Sequence, residues 1–155
     1  MELIQPWIIN VSLYDFQSGK HPFVPGKTIA IQIVDPGSKF PDPKYDFLSI
    51  HRFSFLDIEL PVDAGIVPMA GDIIFGEDFL ITDIDAMLIA ECLKGAVENQ
   101  ENVVVHCHLG VCRSGAVAEV GTMLGLNGTG VYRQPNVTVK RKLMKYLNLL
   151  PLGAE

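Results

Sequence analysis

Apolar residues in this chain fall into two rhythms. Short β-branched runs occupy Trp7–Tyr14, Thr28–Val34 and Val103–Val105, and helical spacing of apolar residues appears over Asp83–Asn99 and after Asn136. The first rhythm predicts buried strands and the second predicts helices with one face in a core. Thr28–Val34 stops at Asp35-Pro36-Gly37, a strong turn signal. Gln17–Gly26 carries two glycines and two prolines and reads as loop, and Tyr45–Ile58 reads as a further extended region. Residues 60–80 mix glycine and proline with apolar residues, so a long excursion is expected there, a wall or lid beside a site.

The helices have recognisable ends. Thr82 followed three residues later by Asp85 predicts a capping box opening helix Asp83–Asn99. Its core stripe is expected to hold Ile84, Leu88, Cys92 and Ala96 with Ile89, Leu93 and Val97. A small-residue helix is predicted over Ser114–Leu126, ended by Asn127-Gly128-Thr129-Gly130. A last helix over Asn136–Leu150 sets Val139, Leu143, Tyr146, Leu147 and Leu150 against Lys140, Arg141, Lys142 and Lys145. The basic run reads as a solvated face. Strands first, then strand–helix alternation, predict an α/β layer fold with any ligand beyond the carboxyl end of the central strand.

Composition narrows the class. A chain of 155 residues suits a single domain, and 48% hydrophobic against 19% charged residues suits a packed core. The net charge of −6 argues against nucleic-acid or anionic-membrane partners. Three cysteines without framework spacing fit a reducing compartment, and neither a membrane span nor a secretory signal is seen, so a cytoplasmic location is expected.

The chemistry concentrates in residues 103–115. Buried strand residues lead to His106-Cys107, then to Gly110, Arg113 and Ser114 at the start of a helix. Five residues between Cys107 and Arg113 let the backbone curl once, so that several N–H groups point into one concavity. Gly110 permits φ > 0 in that curl. The helix dipole and the planar fork of Arg113 complete a cradle for a tetrahedral dianion. The same field favours a thiolate at Cys107. His108, Leu109, Gly110, Val111, Cys112 and Arg113 are thus the candidate phosphate-binding loop. Ser114 can hydrogen-bond the sulfur or cap the helix.

This stretch resembles the signature of the cysteine-dependent protein tyrosine phosphatases, His-Cys-(five residues)-Arg-Ser/Thr. Phe55-Leu56-Asp57-Ile58-Glu59, Ile33-Val34-Asp35-Pro36-Gly37 and Phe75-Gly76-Glu77-Asp78 resemble segments of small bacterial and phage enzymes of its dual-specificity branch. The resemblance implies a central mixed sheet flanked by helices. It also implies hydrolysis of phosphotyrosine, and of phosphoserine or phosphothreonine, on protein substrates through a cysteinyl-phosphate. A carboxylic acid must protonate the leaving oxygen. After Arg113 only Glu119 and Glu155 remain, so the acid is expected upstream: Asp57 first, with Asp72 and Asp78 nearer to Cys107 in sequence. The run Cys-His-Leu-Gly-Val-Cys-Arg-Ser is also similar to the loop of low-molecular-weight phosphatases, which implies a redox role for Cys112 as the partner of Cys107 in a reversible disulfide.

His106, Cys107, His108 and Cys112 could suggest a metal site, but strand alternation turns His106 away from Cys107, and neither a metal nor a cofactor is expected. His106 is expected to support the loop, His108 to line the mouth, and Asn136 either to approach the site or to cap a helix. Two competing readings remain: a phosphate-recognising module without turnover, and a phosphatase for RNA 5′-triphosphates or inositol phosphates. His108 and Val111 stand where basic side chains would favour such polyanions.

Overall fold

The computed structural model describes residues 5–59, 69–70, 73–74 and 80–150. Its elements are β1 (Trp7–Ser12), α1 (Leu13–Ser18), β2 (Thr28–Val34), β3 (Ile50–Ser54), β4 (Met69–Ala70), β5 (Ile73–Ile74), α2 (Asp83–Asn99), β6 (Asn102–Cys107), α3 (Arg113–Leu124), β7 (Asn127–Gly128) and α4 (Val137–Tyr146). A five-stranded sheet runs in the order β3-β2-β6-β1-β7, and β4 pairs with β5 in a separate antiparallel hairpin. The α/β layering is as expected. The pairings of the larger sheet are all parallel, however, where a mixed sheet was expected. Parallel strands send every C-terminal end to one edge, so the ends of β1, β2, β3 and β6 share the rim on which Cys107 sits.

β6 is central because it can be buried on both faces. Val103, Val105 and Cys107 point into a large aliphatic core with α2 and α3, built on Ile89, Leu93, Val117 and Val120. Val104 points into a smaller cluster with Ile9, Val11, Phe16 and Phe47. Period-two alternation sends His106 to that second face, where its ring lies 4.6 Å from the ring of Phe16.

The structure differs from the sequence reading at several boundaries. The first strand ends at Ser12, and residues 13–18 form a helix where extended chain and loop were predicted. Ser12 caps that helix by accepting from the Asp15 N–H, and Gly19 closes it at φ +73°. The region 45–58 holds only the five-residue β3. In α2 the capping box forms as predicted, but the buried face is Ala86, Ile89, Ala90, Leu93 and Ala96. Ile84 and Leu88 are exposed and Cys92 is half-buried, because the small residues Ala86 and Ala90 let the helix lie closest to the sheet. α3 ends at Gly125, φ +119°, and Asn127–Gly128 pairs with β1 instead of terminating the helix. α4 ends at Tyr146, whose ring is exposed. Among the described residues, no helix is long and apolar enough to cross a membrane.

Candidate active site

The loop after β6 is fixed from outside by its carbonyl groups. The His108 carbonyl accepts from the Leu13 N–H (3.1 Å), Val111 from Gln134 N–H (3.1 Å) and Cys112 from Asn136 N–H (3.0 Å). The Gly110 carbonyl accepts from the side-chain amide of Asn10 (2.7 Å), which also donates to the Tyr132 carbonyl (3.1 Å). The peptides among the described residues are trans, so each carbonyl directs the following N–H the opposite way. The N–H groups of Leu109, Val111, Cys112 and Arg113 therefore face into the curl. Gly110 has φ +77°, and a Cβ there would lie 2.4 Å from the Val11 carbonyl carbon and the Ser12 nitrogen. The turn passes so close to β1 that only glycine fits.

Cys107 is 2% exposed at the floor of this loop, and its Sγ lies 3.1 Å from the Ser114 Oγ. Ser114 does not cap α3. The N-cap position is Cys112, without a side-chain cap, and Ser114 sits in the first turn with its hydroxyl against the sulfur. Arg113, 4% exposed, donates through Nη1 to Asp35 Oδ1 (2.7 Å) and to the Phe55 carbonyl (2.7 Å). Its Nε is buried and has no partner among the described residues. Nη1 is thus committed to the protein, while Nε is a buried donor left for an acceptor not among the described residues. His108 and Leu109 are exposed on the loop, and Val111 and Cys112 are half-buried.

Asp57 lies three residues beyond β3, exposed to solvent. Phe55 N–H donates to the Val34 carbonyl (3.1 Å), which carries this arm over the same sheet edge as Cys107. Asn136 Nδ2 donates to Asp57 Oδ1 (2.6 Å) and to the Ile58 carbonyl (3.2 Å). Burial, then the neighbouring Asp57 carboxylate and its hydrogen bond, push the Cys112 thiol up. Cys112 thus has the Asp57 carboxylate beside it, on the loop that begins at Cys107. Both are free cysteines. Asp72, Asp78 and Glu155 lie outside the described residues. Glu119 is paired with Arg133.

His106 is fully buried. Burial, opposed by the Cys107 carbonyl 3.4 Å from Nδ1 and assisted by the Arg113 charge, lowers its pKa to about 4. Among the described residues no His/Cys/Asp/Glu group is arranged to hold a metal ion. Lys142 of the basic run is bound to Asp83 (2.8 Å).

Sequence reasoning missed Asn10 and Asp35. Asn10 is an amide inside an otherwise apolar strand, and that anomaly was the available signal. Asp35 ends the strand beside β6, and the parallel order that brings it to Arg113 is not written locally.

No protein-family model matches the sequence, and no curated protein matches it. Solved structures do. A human tyrosine phosphatase-like serine/threonine/tyrosine-interacting protein superposes with a TM-score of 0.56 at 15% identity, covering 92% of this chain and 91% of that one. Tk-PTP in its active form matches at 13% identity with a TM-score of 0.44, covering 99% of this chain and 86% of that one. The chain has the α/β fold of the protein tyrosine phosphatase-like proteins, a parallel sheet with Cys107 at the end of its central strand.

Proposed function

We propose that this chain is a single-domain, cysteine-dependent protein phosphatase acting on phosphotyrosine and on phosphoserine or phosphothreonine. The observation that carries the reading is the buried Cys107 sulfur under an inward-facing loop, with Ser114 Oγ at 3.1 Å and an uncommitted Arg113 Nε. The Cys107 sulfur attacks phosphorus in line, the P–O ester bond breaks, and the leaving oxygen takes the proton of Asp57. Arg113 and the loop N–H groups hold the three non-bridging oxygens, so catalysis is mainly positioning and charge stabilisation. Water then attacks the cysteinyl-phosphate and Asp57 takes its proton. The S–P bond breaks with the Ser114 hydroxyl donating to the departing sulfur, and phosphate is released. A thiol nucleophile of this kind belongs in a reducing compartment, which fits a cytoplasmic location.

A second reading, phosphate recognition without turnover, is favoured by the human neighbour being described as an interacting protein. Hydrolysis of p-nitrophenyl phosphate separates the two. Turnover abolished by Cys107→Ser and slowed by Asp57→Asn supports the phosphatase. Binding of a phosphotyrosine peptide to the wild-type chain with no turnover overturns it.

A further inference from the structure

We propose that Asn136 is a positioning residue that locks the Asp57 carboxyl to the phosphate cradle. The inference rests on the phosphatase reading and deepens it. Asn136 has no exposed surface, and every polar group it contributes there is committed. Its Oδ1 accepts from the Val139 N–H (3.0 Å) and so caps α4. That contact fixes which end of the amide is oxygen, since only an acceptor can face an N–H. Nδ2 is thereby turned to the acid arm, donating to Asp57 Oδ1 at 2.6 Å and to the Ile58 carbonyl at 3.2 Å. The Asn136 backbone N–H meanwhile donates to the Cys112 carbonyl at 3.0 Å, inside the cradle loop.

One residue therefore touches three parts that must keep register: the helix, the acid arm and the loop that would hold the phosphate. A helix cap needs only the oxygen. The two donations from Nδ2 do nothing for α4, and they end on the candidate proton donor and its neighbour. The carboxylate bond is charge-assisted, so it is the stronger tie. Cys112, hydrogen-bonded to Asp57 and next to Arg113 in the chain, borders the carboxyl on the loop side.

The test separates the two ends of the amide. Asn136→Asp and Asn136→Ser both keep a capping oxygen but remove the Nδ2 amide that reaches Asp57 and Ile58. Rates are measured on phenyl phosphate, a poor leaving group that needs the acid, and on p-nitrophenyl phosphate, which needs it less. Both variants are expected to lose about tenfold in kcat on phenyl phosphate, to lose less than about threefold on p-nitrophenyl phosphate, and to hold KM within about twofold. Asp57→Asn should show the same skew more strongly, and adding Asn136→Ser to it should produce no further skew. A merely structural Asn136 would lower both rates alike, or lower the melting temperature with the ratio unchanged, and either result overturns the proposal. If Cys107→Ser and Asp57→Asn behave as the phosphatase reading requires while the Asn136 ratio stays at the wild-type value, only the positioning role falls. If the wild-type chain has no turnover, or Asp57→Asn shows no skew, the phosphatase or acid assignment falls and takes this one with it.

Discussion

The proposed phosphate cradle and the arm that carries Asp57, the proposed acid, lie side by side and are held by different means. The cradle, residues 107–113, is fixed through four carbonyls by β1, α1 and the segment before α4, and its turn is pressed against Val11 and Ser12. The acid arm, residues 55–59, leaves β3 with one backbone bond to β2. Beyond that, among the described residues, it is held through side chains: Arg113 on the Phe55 carbonyl, Asn136 on Asp57 and Ile58, and Glu59 on the Val137 N–H. A loop that surrounds a dianion must keep its N–H groups oriented without reorganising, which backbone ties achieve. The arm that carries the proposed proton donor is fixed by side chains instead, so a single substitution can release it while the backbone ties of the cradle stay in place.

The largest effect should come from breaking the cradle at its closest approach. Gly110→Ala places a methyl 2.4 Å from the Val11 and Ser12 backbone at φ +77°. Neither neighbour is a flexible side-chain end, so β1 or the loop has to move. The expected cost is more than ~4 kcal/mol of stability, with phosphate-ester hydrolysis lost in whatever folds. Chemical denaturation with parallel turnover assays would check it. A well-folded, active Gly110→Ala would mean that the loop is far softer than its four ties imply.

The same contrast explains what could be read in the sequence. The cradle was legible because its requirements are local: Gly110, Arg113 and Ser114 lie within seven residues of Cys107, and β6 announces itself as three consecutive valines. The α/β layers followed from element order, but the direction of the pairings did not: a mixed sheet was expected, and the five strands pair in parallel. α1 was missed because the apolar run of β1 continues into Leu13 and Tyr14, although Ser12, Asp15 and Gly19 carried a cap signature. The buried face of α2 was misplaced because alanines at 86 and 90 carry little hydrophobic signal, yet they decide which side can approach the sheet. The tethers of the acid arm were the least legible. Asn136 meets Asp57 across 79 residues and Arg113 meets Asp35 across 78, and neither end of such a pair marks the other.

Next in size is a pH effect on the support beneath the cradle. The His106 pKa falls from its ordinary value near 6.5 to about 4, chiefly through burial. Between those values the unfolded chain binds a proton that the folded chain does not, so stability falls as pH drops through the window and levels off below it. The loss attributable to this group is on the order of 3 kcal/mol. Urea unfolding between pH 7 and pH 4 should show this slope in the wild type and a shallower one in His106→Gln. Equal slopes would place the acid sensitivity elsewhere and leave His106 a neutral bystander.

Asp35 lies where the two regions meet, on the guanidinium that also holds the Phe55 carbonyl. Its carboxylate offsets a guanidinium that is only 5% exposed, while Asp35 itself is half exposed. Asp35→Asn keeps an acceptor for Nη1 but removes the countercharge. The expected loss is ~1–2 kcal/mol, at the lower end for a hydrogen bond to a charged group because solvent screens this carboxylate. Inorganic phosphate should then raise the melting temperature of the variant more than that of the wild type, because the anion supplies the missing charge. Equal thermal shifts would show that Arg113 does not face the bound anion.

The smallest effect tests whether the acid arm is held at its outer end as well. Glu59 accepts from the Val137 N–H at 3.3 Å, at the first residue of α4 and therefore at the positive end of its dipole. Glu59→Gln keeps an acceptor at that N–H and removes only the charge. The site is exposed and the bond is long, so the loss should be about 0.3–1 kcal/mol at low ionic strength and should vanish in high salt. The preference between phenyl and p-nitrophenyl phosphate should stay at the wild-type value, in contrast with the Asn136 variants. Glu59 ties the end of the arm, two residues past the carboxyl of the proposed acid, whereas Asn136 donates to that carboxyl itself. If Glu59→Gln shifted the leaving-group preference as strongly as Asn136→Ser, the arm would be moving as one rigid piece, and Asn136 would have no special hold on the carboxyl.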